Sequence, residues 1–266
     1  MSRVVITGAG GMLGQDVARE LPNAVALTRA DLDVTDAEAV RAAIGAEDTV
    51  INCAAWTDVD GAEDHEDEAL RVNGAGARHV AEAAGRVVYV STDYVFDGRA
   101  ERPYEPGDPP KPLQAYGRTK LAGEQATAKA NPRHFTVRSS WLFGVGGRNF
   151  ADTILRLASE RDLLRVVDDQ IGCPTYTGHL AWSISQLIEG DRYGIHHHAA
   201  AGQCSWFEFA SFLVERERLD CRVEPCTTAE FPRPAKRPEY SVLFPSSLPD
   251  WQKGGAEYLA ERKVRA

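Results

Sequence analysis

Short apolar runs alternate with amphipathic stretches over the first half of the chain. The runs are almost continuously apolar, which is typical of strands buried on both faces. We predict strands at Arg3–Thr7, Ala24–Thr28, Thr49–Ala54, Arg86–Ser91 and His134–Arg138. We predict helices between them, at Met12–Leu21, Asp36–Ile44, Glu66–Ala84 and Ala115–Ala130. This order indicates an α/β fold with a doubly wound parallel sheet of the Rossmann type.

The second half of the chain is less regular. The pattern predicts helices at Asn149–Arg161, His179–Glu189 and Ser205–Arg218, and a short strand in LLRVVDD, at residues 163–169. Proline is dense over Pro225–Pro249, which favours an extended or looping segment before a closing helix. Because no flexible linker is visible, we expect the two halves to pack as one unit, with a smaller C-terminal α/β lobe.

Composition and charge exclude several classes of protein. The chain has 266 residues, of which 43% are apolar and 26% charged, as in ordinary globular proteins. A net charge of -9 argues against nucleic acid as the main partner. No apolar run approaches the roughly 20 residues that span a bilayer, and the N-terminus lacks the features of a signal peptide. The five cysteines are scattered without a CxxC pair, so we expect no disulfide framework and a cytoplasmic location.

A glycine-rich loop follows the first predicted strand. In TGAGGMLG, Gly8, Gly11 and Gly14 are spaced so that the backbone can turn tightly and approach a pyrophosphate. The next helix begins here, at Met12 and Leu13, and its positive N-terminal end favours an anion. The motif therefore predicts a bound dinucleotide.

The end of the second strand bears on which dinucleotide is bound. An acidic residue there would bind the ribose 2′-hydroxyl of NAD, whereas Arg29 suits the additional phosphate of NADP. We therefore expect NADPH, with NADH as a possible alternative. The other residues expected beside the cofactor, at the adenine or along its backbone, are Asp33, Val34, Ala54, Ala55 and Thr57.

Tyr116 and Lys120 lie four residues apart, so both side chains leave one face of the predicted helix. Thr92 lies at the carboxyl end of the fourth strand, where open α/β sheets bind ligands. Reduction of a ketone requires a proton donor and a group that holds the oxygen. We predict Tyr116 as the donor, Thr92 as the holder, and Lys120 as the cation that lowers the phenol pKa from about 10 and binds the nicotinamide ribose.

Six segments extend this constellation along the chain, namely STDYVFDG, YGRTKLAGE, RSSWLFG, NF, DDQIGCPT and RPEYSVL. In this order they resemble the dTDP-4-dehydrorhamnose reductase family of the extended short-chain dehydrogenase/reductase superfamily. The resemblance implies that NAD(P)H reduces the C4 ketone of a dTDP-4-keto-6-deoxy sugar to give dTDP-L-rhamnose. It also implies that Tyr116 and Lys120 form the YxxxK motif and that Thr92 is the active-site threonine.

The resemblance implies a set of substrate-binding residues, namely Asp93, Tyr94, Trp141, Asn149, Gln170 and Arg237. Arg237 is attractive because a guanidinium can grip phosphate in two places. A core tryptophan is the alternative for Trp141, and a surface ion pair is the alternative for Arg237.

Two features bear on metal binding. Some family members bind magnesium through glutamates at a dimer interface, and Asp16 is the nearest match to one of them here. The run His196–His198 lies in an expected strand, where neighbouring side chains point to opposite faces. We therefore predict no metal site, and a homodimer is possible.

We expect a dinucleotide-binding part at residues 1–145 plus about 177–198, and a substrate lobe at about 146–176 plus 199–266. Three alternatives to the dTDP-rhamnose reaction stay open. Two are enzymes, a reductase of a related ketosugar and a sugar-nucleotide epimerase. The third is a non-catalytic regulatory subunit that binds NADP.

Overall fold

The structure is a computed structural model that describes residues 3–245 and 248–265. The strands, in chain order, are β1 (Val4–Thr7), β2 (Val25–Leu27), β3 (Thr49–Asn52), β4 (Arg86–Thr92), β5 (His134–Ser139), β6 (Leu142–Phe143), β7 (Leu163–Val167), β8 (Ile171–Gly172), β9 (Thr175–Tyr176), β10 (Gly194–His197), β11 (Ala200–Ala201), β12 (Cys204–Ser205), β13 (Arg222–Cys226) and β14 (Leu248–Asp250).

The α-helices are α1 (Met12–Glu20), α2 (Ala37–Ala43), α3 (Gly61–Asp64), α4 (Glu66–Leu70), α5 (Ala77–Ala83), α6 (Ala115–Ala130), α7 (Phe150–Glu160), α8 (Thr177–Leu187), α9 (Trp206–Arg216) and α10 (Trp251–Arg265). Short 3₁₀ helices cover Asp93–Val95 and Thr228–Glu230. None of the helices in the described part of the chain combines the length and the hydropathy needed to cross a membrane.

A six-stranded sheet forms the centre of the molecule, in the order β10-β5-β4-β3-β1-β2. Every neighbouring pair is parallel. The order reverses direction at β1, as a doubly wound sheet requires. The predicted α/β fold is therefore confirmed, and the predicted strands of the first half differ from the observed ones only at their ends.

Helices cover both faces of this sheet. Alternate residues of a strand point to opposite faces. Ile6 and Ile51 accordingly join the core beneath α1 and α8, whereas Val5 and Val50 join the core beneath α2 and α5. All four side chains are fully buried, which explains why these strands are apolar at every position.

The predicted helix over Glu66–Ala84 is present from Glu66 to Ala83, but it contains a π-helical segment that was not predicted. The segment Arg71–Gly76 is a π-helical turn between α4 and α5. The Asn73 side chain, fully buried there, accepts from Trp56 N at 2.9 Å and donates to Thr119 Oγ1 at 3.0 Å. The turn thus tethers the loop after β3 to α6. Such local widening is common at functional sites.

The remaining elements form a smaller layer beside the carboxyl ends of the sheet. β7 pairs in parallel with β13, and α7 and α9 pack on this pair around Ile154, Ala210 and Val214. Between these elements the chain returns to the large sheet, where α8 packs against α1 and β10 pairs with β5.

Candidate active site

A cavity of about 710 Å³ opens at the carboxyl ends of the central strands. Residues predicted for the cofactor, the reaction and the sugar line it together: Gly8, Gly11, Met12, Leu13, Gly14, Arg29, Asp33, Val34, Ala54, Ala55, Thr57, Thr92, Asp93, Tyr94, Tyr116, Lys120 and Trp141. Three predicted residues, Asn149, Gln170 and Arg237, lie outside this lining.

The glycine loop forms one end of the cavity. Gly8 has a φ of +66°, and a Cβ there would lie 2.5 Å from the backbone nitrogen of Ala54. A Cβ on Gly14 would lie 2.7 Å from Ala9 Cα, so neither position accepts a side chain without a shift. Gly11 caps α1, and no side chain bonds to the first-turn N–H groups. These free donors fit the pyrophosphate of a dinucleotide.

The other end of the expected cofactor site lies after β2. Arg29 is exposed at the cavity rim, and Asp33 lies close enough to feel its charge. Hydrogen bonds from Thr35, with a smaller contribution from Arg29, lower the pKa of Asp33, so Asp33 is an anion at neutral pH. The rim therefore offers both a cation for a 2′-phosphate and an acceptor for a hydroxyl.

Tyr116 projects into the cavity from the first turn of α6. Its ring meets that of Tyr94 edge to face at 6.3 Å, and its hydroxyl lies near that of Thr92. Burial raises the pKa of Tyr116 well above its usual range, Asp93 adds to this shift, and the Thr92 hydroxyl opposes it. The phenol is therefore protonated at neutral pH, as a proton donor must be.

Lys120 lies one turn further along α6. Its Nζ donates to the carbonyl oxygen of Val90 at 2.7 Å and lies 4.3 Å from the centre of the Tyr89 ring. Burial lowers the pKa of Lys120 to about 7, although the charge of Glu124 opposes this shift. The sequence suggested that Lys120 lowers the phenol pKa. In the structure the pKa of Tyr116 is raised instead, because its burial dominates.

A pair of stacked indole rings borders the opposite side of the cavity. The ring of Trp141 lies 3.4 Å from that of Trp206 and nearly parallel to it, at 5°. Trp141 adopts a φ of 47°, which is uncommon for a bulky residue. A Cβ on Gly172 would lie 2.5 Å from the Trp141 ring, so glycine leaves room for the stack.

The family model described as "RmlD substrate binding domain" matches residues 2–261. The chain belongs to this family. The predicted resemblance is therefore confirmed, and with it the membership of a reductase family.

Curated relatives cover almost the whole chain. The dTDP-4-dehydrorhamnose reductase of Mycobacterium tuberculosis strain H37Rv is 45% identical over 256 residues, which cover 91% of this chain and 84% of the relative. The dTDP-4-keto-6-deoxy-D-glucose reductase of Streptomyces niveus is 41% identical, with 95% and 91% of the two chains covered.

Solved structures of family members share this fold. A dTDP-4-dehydrorhamnose reductase from Clostridium acetobutylicum superposes with a TM-score of 0.94 at 38% identity, covering 98% of this chain and 99% of its own. One from Bacillus anthracis, in complex with NADP, gives a TM-score of 0.92 at 38% identity, covering 98% and 100%.

Two of the predicted substrate residues of this family member serve neighbouring elements instead of lining the cavity. Asn149 caps α7, because its Oδ1 accepts from Asp152 N at 3.0 Å. Gln170 accepts from Trp206 Nε1 at 3.1 Å and donates to Thr228 Oγ1 at 2.9 Å. Gln170 thus holds the Trp206 ring of the stacked pair from outside the cavity lining. Their roles toward substrate stay predictions.

Arg237 lies near the cavity without lining it. Its guanidinium forms an ion pair with Asp60, which also binds Arg233, and it hydrogen-bonds to Tyr94. The contact with Asp60 is the ion pair that the sequence offered as the alternative role of Arg237, although the Arg237 side chain is only 14% exposed. Because Asp60 is shared between Arg233 and Arg237, the cluster keeps one net positive charge, although a phosphate at Arg237 would have to compete with this carboxylate for its hydrogen bonds.

The lining also contains residues that were not predicted from the sequence, and two of them, Trp206 and Arg148, carry large side chains that bear on function. Trp206 comes from the start of α9, in the part of the chain expected to form the substrate lobe. Arg148, in GVGGRNF, adds a second cation to the lining. Neither belongs to a spacing motif, so only the folded chain identifies them.

No group of three or more His, Cys, Asp and Glu side chains among the described residues is arranged to hold a metal ion. His197 Nδ1 faces the carbonyl oxygens of Tyr104 and Phe244, at 3.1 and 3.0 Å. Asp16 is buried and forms an ion pair with Arg19.

Proposed function

We propose that the protein reduces the C4 ketone of dTDP-4-dehydro-L-rhamnose to dTDP-L-rhamnose with NADPH. One observation carries the proposal: Thr92, Tyr116 and Lys120 line the same cavity as the glycine loop, with the Thr92 hydroxyl close enough to the Tyr116 hydroxyl to affect its pKa. The names of the Mycobacterium tuberculosis relative and of the NADP-bound Bacillus anthracis structure support the substrate and the cofactor.

The chain's own residues account for binding of the cofactor. The free N–H groups at the start of α1 would hold the pyrophosphate, and Arg29 would hold the 2′-phosphate. Lys120, buried beneath Tyr116, would bind the nicotinamide ribose. When bound, NADPH supplies the hydride that adds to the ketone carbon.

Proton transfer is the task of Tyr116. As the ketone carbon accepts a hydride, its oxygen gains negative charge and takes the phenol proton, so the ketone becomes an alcohol. Thr92 donates a hydrogen bond to the same oxygen and stabilises that charge. A cationic Lys120 favours the tyrosinate that the transfer leaves behind.

The decisive experiment offers the purified protein a panel of dTDP-4-keto sugars with NADPH or NADH. We expect oxidation of NADPH, equal in amount to sugar consumed, and dTDP-L-rhamnose as the product. Tyr116→Phe should lower kcat by about 100-fold or more with an unchanged Kd for NADPH, because only the proton is removed. A full rate in this variant contradicts the assigned proton donor.

A second candidate has its own support, because the Streptomyces niveus relative is named as a dTDP-4-keto-6-deoxy-D-glucose reductase. The same panel separates the two substrates. Stoichiometric consumption of NADPH excludes an epimerase, and any turnover excludes a purely regulatory subunit. A homodimer, a cytoplasmic location and the absence of nucleic-acid or membrane partners stay predictions.

A further inference from the structure

The carboxyl group of Asp93 is buried directly behind the Thr92 hydroxyl. Asp93 is 1% exposed, and its Oδ2 accepts from Ser241 Oγ at 2.6 Å. Its Oδ1 lies 3.0 Å from Thr92 Oγ1. Thr92 Oγ1 also accepts from Tyr94 N at 3.1 Å and lies close enough to the Tyr116 hydroxyl to affect its pKa. A continuous row of hydrogen bonds therefore runs from Ser241 through Asp93 to Thr92, beside the proton donor.

The direction of these hydrogen bonds depends on whether the Asp93 carboxyl group carries a proton. The Thr92 hydroxyl has a single proton and two lone pairs. Ionised Asp93 can only accept hydrogen bonds, so the Thr92 hydroxyl donates to it. Thr92 then has no second proton to donate to a substrate oxygen. Protonated Asp93 can donate to Thr92 Oγ1. Thr92 then accepts from Asp93 and from Tyr94 N, and its own proton is free for the cavity.

We propose that Asp93 acts in its protonated form, as a positioning residue that turns the Thr92 proton toward the ketone oxygen of the substrate. The inference rests on the reductase function proposed above. It gives Asp93 a part in the reaction that differs from the sugar contact expected from the sequence. An oxygen that gains negative charge needs a donor, and only this state of Asp93 lets Thr92 be one.

The surroundings of Asp93 support this state at neutral pH. Burial raises the pKa of Asp93 to about 7 and outweighs the hydrogen bonds from Ser241 and Thr92, which favour the ionised form. Because the protonated form is the active one, activity is full below this pKa and declines as the pH rises through it.

Three titratable groups face Asp93, one from its own element and two from other parts of the structure. Tyr116 lies on α6, Tyr94 on the same 3₁₀ helix, and Cys173 follows β8. Burial raises the pKa of all three, so they are neutral at pH 7. The charge of Arg237, in the C-terminal segment, opposes the rise in the pKa of Tyr94. Asp93 is therefore the group of this set that changes charge near neutral pH.

Asp93→Asn tests the inference through the pH profile. In the wild type, kcat should fall about tenfold from pH 6 to pH 8, as the protonated fraction does for a pKa near 7. In Asp93→Asn the amide donates to Thr92 and accepts from Ser241 at any pH, so this fall should disappear. A folded variant that binds NADPH but is inactive at every pH, or one that keeps the wild-type fall, overturns the inference.

Ser241→Ala separates Asp93 from Lys120, whose pKa is also about 7. The Ser241 hydroxyl favours the ionised carboxylate, so its removal should shift the fall in kcat to higher pH. An unmoved fall contradicts the inference. Asp97→Asn is the matched control, because Asp97 lies outside the cavity lining and its pKa is lowered, and its profile should stay that of the wild type.

A direct reading comes from ¹³C NMR of the side-chain carboxyls in protein saturated with NADP⁺, with Asp93→Asn to identify the signal. The Asp93 signal should titrate between pH 6 and pH 8, far above the usual value of about 4. If the signal is that of an ionised carboxylate at pH 6, the inference fails even where turnover is normal. If the wild type oxidises no NADPH with any ketosugar, the proposed function fails, and the NMR signal still reports on Asp93.

Discussion

Two side chains of opposite charge are buried beneath the catalytic helix. Arg138 on β5 and Glu124 on α6 have side-chain exposures of 1% and 5%. Arg138 binds Glu124 with two hydrogen bonds, of 2.9 and 2.7 Å, and Ser91 Oγ donates to Glu124 at 2.5 Å. Because α6 also carries Tyr116, this pair fixes the helix on the sheet below the reacting groups.

Removal of one partner should be costly. In Glu124→Ala the buried guanidinium of Arg138 loses its counter-charge, and we expect the free energy of unfolding to fall by about 3–5 kcal/mol. Urea denaturation followed by circular dichroism measures this change. The control is Glu160→Ala, which removes an exposed pair with Arg156 within one helix, and it should cost less than about 1 kcal/mol. Equal losses in the two variants would contradict the argument.

For single residues, the sequence predicts which side chains form the site better than it predicts their pKa values. The spacing of Tyr116 and Lys120, and the place of Thr92 at the end of a strand, predicted a cluster that the structure brings together. The sign of the Tyr116 shift could not be predicted, because it depends on how much water the folded chain excludes. The Asp93–Ser241 contact joins residues 148 positions apart, and no local pattern indicates it.

At the scale of elements, Gly123 determines how closely α6 can approach its neighbours. A Cβ at this position would lie 2.5 Å from Cζ of the Tyr89 ring, and it would also overlap the carbonyl oxygen of Asn73. Glycine therefore lets α6 pack directly on β4 and on the π-helical turn. The position of Tyr116 and Lys120 depends on this contact.

Gly123→Ala should accordingly displace α6. We expect a loss of about 1–3 kcal/mol in stability from overpacking, together with a lower kcat, because the proton donor moves with its helix. Gly107→Ala is the matched control, since a Cβ there meets nothing within 4 Å. Thermal unfolding and the rate of NADPH oxidation measure both effects. A Gly123→Ala protein as stable and as active as the control would refute the close-packing argument.

The helices and strands were largely predictable because burial on one or both faces leaves a periodic pattern in the sequence. The π-helical turn at Arg71–Gly76 was not. Its buried Asn73 bonds to Trp56 and Thr119, which lie far away in sequence, and no local pattern indicates these contacts.

At the scale of the whole molecule, Asp60 joins the first half of the chain to the C-terminal segment. Its carboxylate binds Arg233 and Arg237 and accepts from Ala235 N at 3.1 Å. These bonds hold the pKa of Asp60 well below its usual range, even though burial opposes the shift. The segment it anchors leads to Ser241, so this contact supports the cavity wall from outside.

Asp60→Ala should loosen that segment without unfolding the sheet. We expect amide exchange in residues 233–241 to accelerate by about tenfold or more, because an opening of these bonds becomes easier by at least about 1.4 kcal/mol. Hydrogen–deuterium exchange with mass spectrometry measures it. Glu82→Ala, which removes an exposed pair inside one helix, serves as the control. Unchanged exchange at residues 233–241 in Asp60→Ala would show that other contacts hold the segment.

The path of the chain between the two layers has one more consequence. α8 packs on the large sheet and β10 belongs to it, yet β7 precedes them and β13 follows them in the smaller layer. The smaller layer, which we predict to bind the sugar, is thus built from two separate stretches of the chain. No end-to-end fusion can transplant it onto another nucleotide-binding scaffold. A descendant with a new sugar preference has to arise by point changes or by insertions inside the reading frame.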